Sequence, residues 1–306
     1  MLIRRSNLLI PLGDAERVDN AWRHNADAVT LDLEQVADAK KAEAREGLKE
    51  AIGAAARGAA EVFVRVSERD LTDDLTAAVW PGLRGIVLPR VESAADVAEA
   101  AEIVTRLEGE RGLASGSLQF IVLLETALGV WHIRSILAAS PRVEQAALDE
   151  PDLAASLGIV PDREIDPFVY ARGRLTVECT AAKVGAIGMV YPLSLEKPGT
   201  DPVFDASHIH TMATKARNSG MKGVICPHAS WVNPVNAAFT PTPELVEWNR
   251  RVRAAFAQGV AKGTAAVPLD GKMIDVPVDE WAIVVLAMAE ACAARDAEKA
   301  AALKGR

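Results

Sequence analysis

An α/β fold of the (β/α)8 barrel type, followed by a C-terminal helical arm, is the class this sequence predicts, on three observations. Short β-rich runs alternate with longer Ala-rich segments of helical period roughly eight times over the first ~240 residues. Runs such as 120-FIVLL-124 and 85-GIVL-88 are almost continuously apolar, as expected of a parallel sheet covered on both faces. No glycine-rich phosphate loop follows the first run, where 10-IPLGDAER-17 offers a single glycine. That weighs against the rival architecture, an open doubly wound sheet.

Taken in order, the strands are expected at Asn7–Pro11, Ala28–Leu33, Glu61–Val66, Gly85–Leu88, Gln119–Leu124, Val143–Leu148, Ala186–Tyr191 and Gly223–Cys226. Helical segments lie between them, among them Asp14–His24, Ala39–Arg57, Ser93–Arg111 and Asp205–Ser219. After the Pro/Thr-rich stretch 239-FTPTPE-244 the pattern changes. A helix over Glu244–Gln258 leads through 262-KGTAAVPLDGKMIDVPVDE-280 to a last helix over Asp279–Leu303. Residues 1–240 therefore read as the barrel and 241–306 as an extension that packs on the barrel or on a neighbouring subunit.

The chain of 306 residues is half hydrophobic and a quarter charged, a globular composition with a substantial core. No apolar run approaches the ~18 residues needed to span a bilayer. The opening MLIRRSNLLIPLGD has no signal-peptide pattern. Cys179, Cys226 and Cys292 are far apart with no CxxC pair, which suits a reducing, cytoplasmic setting. A net charge of −8 without a basic block excludes nucleic acid as an expected partner.

Barrel chemistry sits at the C-terminal ends of the strands. Those ends carry Asp32 and Glu34, Arg65, Arg90, Glu125, the cluster Asp149, Glu150 and Asp152, and 226-CPH-228. No lysine ends a strand, so the buried amine of a Schiff-base aldolase is not supplied. The hard oxygen donors favour a Mg2+-type site. Glu125 closes an apolar strand, where it is a metal ligand, a helix cap or a partner for Arg65. Arg65, on the alternate face from Val64 and Val66, is a surface strand residue or a fork for a carboxylate or enolate. Arg4 and Arg5 read as solvated charges, and His208 and His210 as surface residues. For 149-DEPD-152, helix capping, solvent and cation binding all stay open.

Ten ordered segments resemble those of the citrate lyase β-subunit-like proteins of the HpcH/HpaI aldolase superfamily, which includes malyl-CoA and citramalyl-CoA lyases. They are 4-RRSNLLIP-11, 26-ADAVTLDLE-34, 40-KKAEAR-45, 62-VFVRV-66, 84-RGIVLPRVESAADV-97, 124-LETALGV-130, 152-DLAASLG-158, 170-YARGRL-175, 234-PVNAAFTPTPEL-245 and 270-DGKMIDVPV-278. The resemblance implies the barrel fold, Mg2+ bound by Glu125 and Asp152, and Arg65 on the oxo-acid or enolate oxygens. It implies Asp275 as an acid/base reaching an adjacent subunit of a homotrimer or hexamer. The implied activity is a Mg2+-dependent carbon–carbon lyase that cleaves a 3-hydroxyacyl-CoA thioester to an acyl-CoA and a 2-oxo acid. A CoA-independent aldolase of hydroxy-oxo acids and a non-catalytic ligand-binding homologue are the alternatives.

The departures from the family pattern cluster at the mouth. Gln35 replaces the acid of DLED, and 149-DEPD-152 stands where the family has GAED or GGED. Gly188 replaces an aspartate, Arg90 a lysine, 11-PLG-13 a Pro-Gly turn, and 226-CPHA-229 the usual CIHP.

Overall fold

The computed structural model describes residues 3–159, 165–188 and 205–304. Eight parallel strands form one sheet: β1 (Ser6–Pro11), β2 (Ala28–Asp32), β3 (Glu61–Arg65), β4 (Leu83–Leu88), β5 (Gln119–Leu124), β6 (Val143–Leu148), β7 (Gly185–Ile187) and β8 (Val224–Cys226). From β1 to β7 each pairs with its neighbour in sequence, and β8 pairs with β1. The last seam closes where Lys222 N–H donates to the Ala186 carbonyl (2.7 Å) and Gly188 N–H to that of Gly223 (2.9 Å). The result is the predicted (β/α)8 barrel. Of the expected seventh strand, residues 189–191 lie outside the described residues.

The outer helices, in chain order, are α1 (Ala15–Asn20), α2 (Asp38–Glu46), α3 (Leu48–Ala55), α4 (Leu71–Ala78), α5 (Ala94–Glu110), α6 (Ala127–Trp131), α7 (Ile133–Ala138), α8 (Glu150–Leu157), α9 (Val169–Ala182), α10 (Ala206–Asn218) and α11 (Ala229–Phe239). The helical stretch expected over Ala39–Arg57 divides into α2 and α3 at Gly47, a residue type that costs about 1 kcal/mol relative to alanine in a helix interior. A capping box formed by Ser93 and Asp96 starts α5 one residue inside the expected boundary.

Side chains on a strand alternate between two faces, and this decides what fills the barrel. Val62, Val64 and Val66 join the large core between sheet and helices. Phe63 points inward with Ala28, Val87, Ile121, Leu123, Ala147 and Ile187. Gly85 is the register partner of Phe63 on the neighbouring strand: a Cβ there would come within 2.2 Å of the Gln119 carbonyl oxygen and 2.9 Å of the Phe63 ring. Below this apolar layer, Arg4 lies over Phe63, 4.7 Å from the ring centre, and donates to Glu61, Gln119, Glu144 and Gln145.

Beyond α11 come α12 (Pro243–Ala261), the hairpin β9 (Val267–Leu269) and β10 (Lys272–Ile274), and the long α13 (Val276–Lys304). Val252, Ile274 and Ala282 form a small core of their own. The far end of α13 returns to the N-terminal end of the barrel. There Asp27, fully buried, accepts from Arg5 (2.8 and 2.9 Å) and from Lys299 (2.6 Å). Arg295 donates to the Asp27 carbonyl (2.6 Å). Arg4 and Arg5 are thus not the solvated charges expected: they are 3% and 2% exposed, because the opening strand turns them beneath the barrel.

Burial alone would raise the Asp27 carboxyl, but the hydrogen bond and charge of Arg5, with Lys299 beside it, hold it below its usual 3.8. A depressed folded-state value stabilises the fold above pH 3.8, and the contribution fades as pH falls toward the lower value. Asp27→Asn leaves buried cations underpaired and should cost roughly 3–5 kcal/mol. Urea unfolding at pH 7 tests this; a change under 1 kcal/mol would show that the network contributes little.

Candidate active site at the barrel mouth

Strand parity and register build the site. In β3, Glu61, Phe63 and Arg65 share the inward face, so Arg65 lies at the top of the barrel. Its register partner on β2 is Asp32. The two form a fork, Nε to Oδ1 at 2.9 Å and Nη2 to Oδ2 at 2.6 Å, while Nη1 lies 3.0 Å from Glu34. Asp32 is fully buried, and its Oδ1 also accepts from the Glu34 N–H at 2.9 Å. Arg65 is therefore an inward, buried residue, 7% exposed, rather than a surface one.

The segment 40-KKAEAR-45 braces the loop after β3. Lys41 donates to Ser67 Oγ and to Asp70, both at 2.7 Å. Arg45 donates to the buried Asp74 (2.8 Å), which accepts from the N–H and hydroxyl of Ser67. These bonds hold the backbone two residues beyond Arg65.

Glu125 occupies the corresponding place above β5. Leu123 points inward, so Glu125, two residues on, does too. It is 3% exposed. Neither of its bland readings holds. Thr126 caps α6, accepting from the Gly129 N–H at 3.1 Å. Arg65 pairs with Asp32 and Glu34 instead. Among the described residues Glu125 has no ion pair.

Asp149 caps α8, and Pro151 stands in the first turn, where its missing N–H costs nothing. The proline that interrupts the acidic run is thus a helix start. Glu150 turns away to pair with the buried Arg172 and packs between α8 and α9. Asp152 is exposed at the first turn of α8. One carboxylate oxygen each from Glu125, Asp149 and Asp152 all lie within 4.8 Å of one another. The family resemblance implies Glu125 and Asp152 as ligands but not Asp149, for which the sequence leaves capping, solvent and cation binding open. Its signal was present: Asp149 lies two residues past the inward Ala147.

Burial, then the charges of Glu34, Asp149 and Asp152, pushes the Glu125 carboxyl up to about 8. Burial and the Asp152 charge raise Asp149. Burial also raises Glu34, against the pull of Arg65. An oxygen-only set of carboxylates, crowded and lacking a cation of its own, fits a hard divalent ion such as Mg2+.

Asp275 is elsewhere. It caps the N-terminus of α13, its carboxylate accepting from the Val278 N–H at 3.4 Å, and it is half-buried on the arm. Within one chain, no hydrogen bond or ion pair among the described residues joins it to Glu125, Asp149, Asp152 or Arg65. His208 and His210 lie exposed on α10, as expected.

The family model for HpcH/HpaI aldolase/citrate lyase matches residues 5–216. The chain belongs to this family. It is 29% identical to the citrate lyase subunit beta of Escherichia coli over 297 residues, covering 96% of this chain and 95% of that protein. It is equally identical, at 29%, to the L-malyl-CoA/beta-methylmalyl-CoA lyase of Cereibacter sphaeroides over 87% of this chain and 88% of the relative. Among solved structures, CitE of Mycobacterium tuberculosis in complex with magnesium, acetoacetate and coenzyme A superposes with a TM-score of 0.72 at 27% identity. That match covers 94% of this chain and 98% of the other.

For this HpcH/HpaI member the carboxylate cluster sets a pH signature. Glu125 goes from its ordinary 4.5 unfolded to about 8 in the folded, metal-free chain. Its contribution to stability is complete below pH 4.5 and is lost as pH rises toward 8. Divalent ion binding must displace that proton. Mg2+ should therefore raise the melting temperature more at pH 8 than at pH 6, and calorimetry at pH 7 should register net proton release. Identical binding heats in buffers of different ionisation enthalpy would contradict this.

Proposed function

We propose that this protein is a Mg2+-dependent carbon–carbon lyase that cleaves a 3-hydroxyacyl-CoA thioester into an acyl-CoA and a 2-oxo acid. The observation that carries the reading is the oxygen cluster of Glu125, Asp149 and Asp152 at the barrel mouth with Arg65, in a chain similar from end to end to citrate lyase β and malyl-CoA lyase. Glu125 and Asp152 would hold the ion. When bound, Mg2+ supplies a Lewis acid and a template for the oxygens of the oxo-acid half.

The rest belongs to the chain's own residues. Asp32 and Glu34 engage three of the five N–H donors of Arg65 and orient its plane. The remaining donors are available to the oxo-acid oxygens, where charge accumulates during cleavage. The substrate hydroxyl gives up its proton as its oxygen becomes the oxo group, the carbon–carbon electron pair passes to the thioester α-carbon, and a carboxylic acid there protonates that carbon. Asp275 takes that role from the arm of an adjacent subunit. Met273, Val276, Trp281, Ile283 and Val284 are 45–64% exposed around it, which supports burial of the arm against a second copy in a trimer or hexamer. The three cysteines are free and buried, in keeping with a cytoplasmic location, and no helix among the described residues is long and apolar enough to cross a membrane.

A panel of CoA thioesters assayed with Mg2+ tests the activity. Turnover of free hydroxy-oxo acids alone would remove the thioester reading. Glu125→Ala or Asp152→Ala should abolish Mg2+ binding while the fold persists. Asp275→Asn should lower kcat at least ~100-fold with Mg2+ affinity unchanged; near-normal turnover would remove Asp275 from the chemistry.

A further inference from the structure

Asp149 stands where the family pattern carries a small residue, yet the register brings its carboxylate against Glu125. Leu124 and Leu148 are paired across β5 and β6, and the Asp149 N–H donates to the Leu124 carbonyl at 3.2 Å. The next rung therefore sets Glu125 beside Asp149, both two residues beyond the inward pair Leu123 and Ala147. The Asp149 side chain accepts only a long 3.5 Å bond from the Asp152 N–H and has no ion pair among the described residues. Glu125, 3% exposed, accepts a backbone N–H bond from Arg90 but has no ion pair among the described residues, and the Arg65 fork is taken by Asp32. A carboxylate withdrawn from water without a cation is costly. Glu125 thus points to an ion shared with its two neighbours.

We propose that Asp149 is a third carboxylate ligand, so that the ion resides in this protein before, and independently of, the organic substrate. The inference rests on the reading of the site as a Mg2+ centre. Two carboxylates balance the charge of Mg2+, and a third leaves the loaded site with one net negative charge. The ion then needs no substrate carboxylate to complete its neutralisation. The same excess opposes anionic ligands, so the site favours an oxo acid with one carboxylate over one with two.

Calorimetry of the full chain with MgCl2 alone tests this on wild type, Asp149→Asn and Asp149→Gly. Asparagine caps a helix as well as aspartate, so Asp149→Asn removes the charge and keeps the start of α8. Both variants should lose about tenfold or more in Mg2+ affinity at an unchanged melting temperature for Asp149→Asn. Mn2+ bound to either should show more coordinated water by proton relaxation than in wild type. Pyruvate should bind several-fold more tightly to Mg2+-saturated Asp149→Asn, the opposite sign from the loss of metal affinity. Wild-type Mg2+ affinity in both variants, with binding lost in Glu125→Ala, overturns this inference alone. No Mg2+ binding by wild type overturns it together with the functional reading.

Discussion

Five carboxylates, those of Asp32, Glu34, Glu125, Asp149 and Asp152, act on one another at the mouth of this barrel, and a single guanidinium, that of Arg65, stands among them. Their mutual repulsion in a partly desolvated space organises the site. Asp32 and Glu34 consume the charge of Arg65. The other three acids face one another within 4.8 Å, with no ion pair of their own among the described residues. Such a set is stable only with a proton or a cation in its midst, and the raised Glu125 carboxyl expresses that demand.

The opposite end of the barrel solves the same problem differently. There Asp27 is matched by Arg5 and Lys299, and Arg4 by Glu61 and Glu144. Each of these buried charges is answered within the chain, and α13 is anchored by the match. One end is neutralised and structural, whereas the other is left acidic and able to take up an ion. This division follows the general asymmetry of such barrels, in which the C-terminal face carries chemistry and the N-terminal face stability.

The acidic run at the end of β6 shows how one short segment divides its labour. Asp149 and Asp152 join the carboxylate cluster with Glu125, Glu150 locks α8 to α9 through Arg172, and Pro151 starts the helix. Four successive positions meet three environments because a strand ends and a helix begins among them. The change from a period of two to one of 3.6 residues swings adjacent side chains to different sides of the wall.

The sequence alone determined the alternation that makes a barrel, the family, and the two acids in LETA and DLAASLG proposed as ligands, because these depend on local pattern and short ordered motifs. Its strand positions were legible to within a few residues, since several of the runs, such as 120-FIVLL-124, are nearly continuously apolar. What only the tertiary structure decided were the partnerships. Arg5 meets Asp296 across 291 positions, and Arg4 meets Gln119 across 115, which no local pattern encodes. The same holds for Arg65 with Asp32, and for Asp149 with Glu125. Their chemistry depends on which strands are neighbours and in what register, and register is set by the closing of all eight strands rather than by any one of them.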